Sequence, residues 1–326
     1  MTGLRSGMDG VAEFYGANPI TIFVASGAEG AYGVYAKTLA RHLAKHIPGA
    51  PEITVVFRPG AGGLLATNEI ATTAPRDGTA IGAIRGATAV ESVLNPQGVD
   101  FDCRDLSWIG NVSRQSGTIV TWHSSNIKTI EDARRRDVVV GADDPQSNIG
   151  TLPNILNAVL GTRFRTVHGY AGLALPRALE TGKVEGICGM GYNTLIAAYG
   201  QWVEDDLINI VAHTGLAPDP MIPHVPRTID YANTEDDRMV IRMMDYRQVL
   251  GRPYVAPPGV PADRLEALRQ GFQKTMTDTA FLADAKANNM IIDPLGHQAV
   301  EKIIAAACAM DPGVARRTWE LLNGHC

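Results

Sequence analysis

The sequence predicts an α/β protein of two units, each a mixed, mainly parallel sheet flanked by helices. Three observations point there. At 326 residues the chain is long enough for two domains of roughly 150 residues each. Short β-rich runs alternate with longer stretches of helical spacing, the pattern of parallel strands joined by covering helices. The alternation then restarts near Thr118, after a first set that closes at Ile84.

The elements follow in order. Ile20–Val24 is a strand ending in the loop 25–30, and Tyr35, Leu39, Leu43 and Ile47 mark one face of the helix behind it. Pro48-Gly49-Ala50-Pro51 stops that helix. Ile53–Phe57 reads as a buried strand, followed by Arg58-Pro59-Gly60-Ala61-Gly62-Gly63 and a helix to about Thr73. Residues 79–84 form the third strand. In the second set, 119–122 and Val138–Gly141 are strands, and a short helix between them opens at Thr129, with Asp132 placed to complete its cap. The loop 142–150 leads into a helix through Leu160. Phe164–Val167 is a strand, 173–180 a helix, and 184–188 and 207–212 are further strands. Residues 218–237, rich in Pro and Asp, read as a long connection. Beyond them, Leu265, Leu268, Phe272 and Met276 stripe one helix, with start signals at Pro261 and Asp263. Val300, Ile303, Ile304 and Cys308 stripe another, and residues 291–293 are a short strand candidate.

Composition excludes several functions. With 29 basic and 34 acidic residues the formal charge is −5, which gives no electrostatic reason to expect nucleic acid or an anionic membrane. No run of 18 apolar residues reads as a membrane span. The first ten residues hold no continuous apolar region and do not read as a signal peptide. Cys103, Cys188, Cys308 and Cys326 show no Cys-x-x-Cys spacing, so neither zinc nor thioredoxin-type chemistry is expected. Four unpaired thiols are the expectation, with Cys308 and Cys326 the pair to test first. The sequence has no His-Glu-x-x-His, no Gly-x-Ser-x-Gly and no P-loop. The eight histidines are scattered, with His42 and His46 expected on a solvated helix face and His123 and His325 at the surface. No catalytic residue, metal or cofactor is expected.

What recurs is a strand, then a Gly/Ser-rich loop, then a helix start, at 26–31, 58–63 and 147–151. Such loops aim unpaired N–H groups and the positive end of a helix dipole at the carboxyl edge of the sheet, where ligands of open α/β sheets bind. They suit an anionic group such as a carboxylate, and the same glycines also serve tight turns.

From Phe14 onward the chain resembles the receptor proteins of tripartite tricarboxylate transporters. The residues carrying the resemblance begin with the strand, loop and helix over 22–43, Arg58-Pro59-Gly60-Ala61-Gly62-Gly63, and Ala74-Pro75-Arg76-Asp77-Gly78-Thr79. It continues through 161–164, Gly169-Tyr170-Ala171-Gly172, Gly182-Lys183-Val184-Glu185-Gly186, Pro223-His224-Val225-Pro226, and 251–262 from Gly251-Arg252-Pro253 to Val260-Pro261-Ala262. The resemblance implies a two-lobed clamshell of the periplasmic-binding-protein type. Lobe 1 would comprise 14–115 plus 250–326 and lobe 2 116–249, with crossover strands near 109–118 and 239–255. The ligand, a small organic acid, would sit between the lobes and be handed to membrane permease subunits.

The resemblance further implies a periplasmic monomer whose export signal has been removed, and no enzymatic activity. The alternatives are a small-molecule sensor signalling to a membrane partner, and an enzyme on the same scaffold. Ligand-binding positions carried over are Ser26, Gly27, Ala28, Glu29 and Tyr32 on the first loop, and Pro59, Gly60, Ala61 and Gly62 on the second. In lobe 2 they are Ser147, Asn148, Thr151, His168, Tyr170 and Ala171, and Tyr192 is added because it follows the Gly189-Met190-Gly191 bend at a predicted strand end. Hydroxyls of Ser26, Ser147 and Thr151 would donate to the ligand, and the tyrosines would wall the pocket. Two features depart from the family. Glu29 stands where relatives carry glycines followed by an aspartate, and would repel a carboxylate at close range. A ligand with a hydroxyl, ammonium or amide at the Glu29 end would suit that loop better, and Asp143-Asp144-Pro145 likewise adds acids where relatives often have small residues.

Overall fold

The computed structural model describes residues 2–95, 97–145, 147–170 and 172–324, with side chains from residue 9 onward. The chain divides into two compact units, one of residues up to Arg114 with Leu250–Ala309, the other of Gln115–Val249 with residues from Met310 on.

The first unit opens with α1 (Thr2–Ala17), a helix the sequence pattern does not announce. Then come β1 (Ile20–Val24), α2 (Ala31–Leu43), β2 (Ile53–Phe57), α3 (Leu64–Thr72), β3 (Ala80–Ala83), the single turn α4 (Glu91–Leu94) and β4 (Ser107–Asn111). β1 pairs in parallel with β2 and with β3, so Ile22 lies between Val55 and Ile81. Ile20, Ile22 and Val24 are fully buried, and they share one core with Tyr35, Leu39 and Leu43, the face that the four-residue spacing predicts. β2, expected to be buried, is only half-buried. It forms the edge of the sheet, so only one of its flanks is covered by another strand.

The second unit runs through β5 (Gly117–Trp122), α5 (Ile130–Arg135), β6 (Val138–Gly141), α6 (Asn148–Leu160), β7 (Phe164–Val167), α7 (Ala174–Glu180), β8 (Gly186–Gly191), α8 (Tyr192–Glu204), β9 (Ile208–His213) and α9 (Glu235–Val249). Its sheet has the order β7-β6-β8-β5-β9. β6 is parallel to β7 and β8, while β5 is antiparallel to β8 and β9. At α5, Thr129 accepts from the Asp132 amide and Asp132 accepts from that of Thr129, closing the expected capping box. α9 corrects a sequence expectation. The stretch 239–255 is not a crossover strand but a helix up to Val249. Val240, Ile241 and every residue from Met243 to Val249, polar ones included, are buried, so no 3.6-residue stripe survives in the sequence.

The chain then returns as β10 (Pro253–Ala256), α10 (Ala262–Met276), α11 (Thr279–Ala287), β11 (Leu295–Gly296) and α12 (His297–Cys308), and ends in α13 (Pro312–Leu322). The first sheet thereby gains the order β11-β4-β10-β3-β1-β2, with β10 antiparallel to both neighbours. α10 lies so close to β4 that a Cβ on Gly110 would come within 2.4 Å of the Phe272 ring. Residues 291–293 are reduced to an isolated bridge from Asp293 to Ser113, because Ile291 pairs through both its N–H and its carbonyl with the Tyr35 hydroxyl, at 3.0 Å each. α13 packs on α6 and α9, with Arg317 pairing Asp237 at 2.6 Å. It therefore belongs to the second unit, not to lobe 1 as the family resemblance implies.

Two further expectations change. His42 and His46 do not face solvent: their rings bind Asp284 at 2.8 Å and Asp278 at 2.9 Å. Hydrogen bonds hold both carboxyls below the usual carboxylate range, from His42 first for Asp284 and from Lys45 first for Asp278. Cys308 is bonded to Cys103, and Cys188 is free and buried. Cys326 and His325 lie outside the described residues, and His123 is exposed as expected. Among the described residues no helix is long and apolar enough to cross a membrane.

Candidate functional site

Because β1, β2 and β3 are parallel, the loops behind them share one edge of the first sheet. The loop 25–30 carries Ser26, Gly27, Ala28 and Glu29, and its fold is set by close approach. A Cβ on Gly33 would come within 2.5 Å of the Ala28 carbonyl, so only glycine lets α2 press against its own leading loop. Lys37 donates to that same carbonyl at 3.1 Å, and the Ser26 hydroxyl donates to Gly27 O at 3.2 Å. Glu29 is exposed. Tyr32, in the first turn of α2, is half-buried, and the Arg252 guanidinium lies 4.4 Å from its ring centre. The tyrosine is therefore held by a cation–π contact.

The second loop is the more unusual. Gly60, Ala61, Gly62 and Gly63 in succession have positive φ, at 143°, 46°, 63° and 104°. Backbone of this hand favours glycine, and the turn closes on itself, with the Gly63 amide donating to the Gly60 carbonyl at 2.9 Å and the Leu64 amide to the Ala61 carbonyl. Pro59, Ala61 and Gly62 are exposed, and Gly60 is half-buried beneath Leu65. The cap at Gly30 before α2 supplies no side-chain hydrogen bond, leaving first-turn amides there to water or ligand, whereas at the start of α3 the Leu64 amide already donates to the Ala61 carbonyl.

In the second unit the arrangement differs. The Ser147 hydroxyl caps α6 by accepting from the Gly150 amide at 3.1 Å, and it donates to Asp143 Oδ1 at 2.6 Å. Thr151 is buried and donates to the Ser147 carbonyl at 2.9 Å. Both hydroxyls expected to serve a ligand are thus engaged at the start of the helix, and Asp143 has the Ser147 hydroxyl as a partner. Asn148 is half-buried at the start of the helix. The loop after β7 joins this one through Gly169 N–H to Asp143 O at 3.0 Å and Tyr170 N–H to Ala142 O at 3.1 Å. That brings exposed His168 and half-buried Tyr170 beside Ser147 and Asn148 in chain connectivity; Ala171 lies outside the described residues. Tyr192 opens α8 at the end of β8, but its side chain is 5% exposed in the core with Leu195, Trp202 and Ile222. Burial, with Asp219 nearby, raises its hydroxyl pKa.

Comparison with solved structures finds the same fold along nearly the whole chain. A TctC solute-binding protein from Polaromonas matches with a TM-score of 0.72 at 17% identity, over 92% of this chain and 98% of that one. MatC from Rhodopseudomonas palustris, solved with bound malate, matches with a TM-score of 0.64 at 15% identity, over 92% and 99%. A second R. palustris protein, solved with adipate, matches with a TM-score of 0.64 at 17% identity, over 93% and 97%. The fold is that of the periplasmic solute-binding proteins. At these identities the likeness is one of fold, and neither a family model nor a curated protein matches the sequence.

Within this solute-binding fold, the structure reveals groups that motif reading passes over. Arg85 follows β3 directly, and Arg252 precedes β10, so both stand at the loop-bearing edge of the first sheet. The signal for Arg85 is present in the sequence, since it is the first charged residue after the third β-rich run. A buried polar cluster lies behind β9 and has no such signal. Thr214 accepts from the Gly117 amide at 2.9 Å and hydrogen-bonds Gln248, while Asp245 accepts from the Gly215 amide at 2.8 Å. Burial pushes the Asp245 carboxyl up to about 7. Asp102, Cys103 and Cys308 lie within 4.8 Å of one another, but the two sulfurs are bonded together, which leaves a lone carboxylate for any metal.

Proposed function

We propose that this chain is a periplasmic solute-binding protein that captures a small organic acid and delivers it to the permease subunits of a tripartite tricarboxylate-type transporter. The observation that carries the reading is the pair of glycine-rich loops, 25–30 and 58–63, that follow the parallel strands β1 and β2 and so share the carboxyl edge where open α/β sheets take their ligands. The start of α2, which has no side-chain cap, adds donors on the same edge, which suits an anion without a buried counter-charge. Two solved proteins of the same fold carry malate and adipate, small acids of the class proposed. Ligand binding would act by favouring one conformation of the protein over others, by as much as the ligand's affinity for that conformation exceeds its affinity for the rest.

The test is a thermal-shift screen against mono-, di- and tricarboxylates of three to eight carbons, aromatic acids and amino acids. A ligand at a hundred times its Kd adds about 2.7 kcal/mol to native stability, a rise of a few degrees. One clear class of carboxylate hits is the expected result. A panel without a shift would overturn the organic-acid reading.

A further inference from the structure

Arg85 is placed where the two glycine-rich loops of the first unit meet, at Gly63 and Ala25. β3, which it follows, lies between β1 and β10. A Cβ built on Gly63 would meet Arg85 Cδ at 2.8 Å, Arg85 Cγ at 3.0 Å and Ala25 Cβ at 3.4 Å. The aliphatic stem therefore rests against Gly63, where the loop after β2 passes into α3 beside Ala25 at the start of the loop after β1. Its guanidinium is exposed, and among the described residues no carboxylate, carbonyl or hydroxyl pairs with it.

The neighbouring cations are occupied. Arg58 pairs with Glu69 at 3.2 Å, and Arg252 is stacked 4.4 Å from the Tyr32 ring and donates to Gly251 O at 2.6 Å. Arg85 alone of these three has a fork of N–H donors with no protein acceptor. A guanidinium matches a carboxylate edge to edge with two parallel hydrogen bonds, where backbone amides offer single ones.

Resting on the organic-acid reading above, we propose that Arg85 is a specificity-determining residue that pairs directly with a carboxylate of the ligand. This reconciles the exposed acid Glu29 with an anionic ligand. The carboxylate binds on the Arg85 side of the loop, and Glu29 disfavours a second anion close to its own position.

The experiment is calorimetric titration of the wild type, Arg85→Ala and Arg85→Lys with succinate, malate, glutarate and adipate, each at low and high salt. Arg85→Ala should weaken binding about ten- to a hundredfold, the range for a hydrogen-bonded charge, and should flatten the salt dependence. Arg85→Lys should fall between, because it keeps the charge and loses the fork. Millimolar methylguanidinium should restore part of the affinity of Arg85→Ala and leave the wild type unchanged, a rescue that a merely structural role would not show. The exposed side chain predicts melting temperatures within a degree or two of wild type. If the wild type binds these acids and Arg85→Ala binds them equally well, the assignment fails and the organic-acid reading stands. If the wild type binds none of these four, the Arg85 assignment fails, and the organic-acid reading fails with it only if the wider thermal-shift panel also gives no hit.

Discussion

Removing the charge of Asp245 should stabilise the protein at neutral pH. The residue is 1% exposed on α9; its Oδ1 accepts the Gly215 amide at 2.8 Å, and Oδ2 has no hydrogen-bond partner among the described residues. Desolvation raises its pKa to about 7, against the smaller lowering effects of the Gly215 amide, Arg227 and Arg242. In the unfolded chain the carboxyl titrates near 3.9. Below about pH 4 both states are protonated and the site costs nothing. Between about pH 4 and 7 the unfolded chain releases a proton that the folded chain keeps, so stability falls as pH rises. Above about pH 7 both are ionised and the penalty is complete. At about 1.4 kcal/mol per unit, a three-unit elevation amounts to about 4 kcal/mol at most.

Asp245→Asn keeps an oxygen for the Gly215 amide and has no charge to desolvate. Denaturant unfolding of both proteins at pH 5 and pH 8 isolates the site, because the other titrations cancel between them at each pH. At pH 5 the cost to the wild type is about 1.5 kcal/mol, so the variant's advantage should widen by about 2.5 kcal/mol on going to pH 8. An advantage that stays constant or shrinks with rising pH would refute the reasoning.

Two other outcomes follow from the geometry. The Cys103–Cys308 bond spans 205 residues, and the chain-entropy model gives closure of such a loop about 5 kcal/mol, so Cys308→Ser should lower stability by several kcal/mol. Peptide mapping without reductant should recover that cross-link, and recovery of a Cys308–Cys326 link instead would contradict the structure. Gly33→Ala and Gly150→Ala would place a Cβ 2.5 Å from Ala28 O and 2.2 Å from Asp144 O, pushing each leading loop away from its helix. Both should cost about tenfold or more in affinity for the acid found in the screen, with only a modest change in melting temperature. An unaltered titration curve would remove that loop from the site.

The parts that are legible in the sequence are those that local chemistry decides. β1 and α2 are legible because Ile20, Ile22 and Val24 lie in one continuous β-rich run and the partners from Tyr35 to Leu43 recur every fourth residue. The α5 cap is legible because Thr129 and Asp132 satisfy each other within one turn. The loop residues Ser26 to Tyr32 and Pro59 to Gly62 follow from glycine spacing and the family resemblance, and they do fall on one edge of the first sheet. Ser147 and Thr151 stand at the start of α6, where their hydroxyls hydrogen-bond within the helix start, since a hydroxyl beside an N-terminus is as readily spent on the cap as on a ligand. α9 escapes the pattern because its burial on nearly every side erases the stripe that announces a helix.

The sequence alone determined the alternation of strands and helices, the glycine-rich loops between them and the absence of known catalytic motifs, all of which depend on residues a few positions apart. Tertiary structure decided the rest. It made β2 an edge, inserted β10 between β3 and β4, joined Cys103 to Cys308 and sent α13 to the second unit. It also turned His42 and His46 toward aspartates more than two hundred residues away, and laid Arg85 over Gly63 and Ala25. These pairings depend on which distant surfaces are brought together when the core is buried, and a single chain of residues carries no local mark of them.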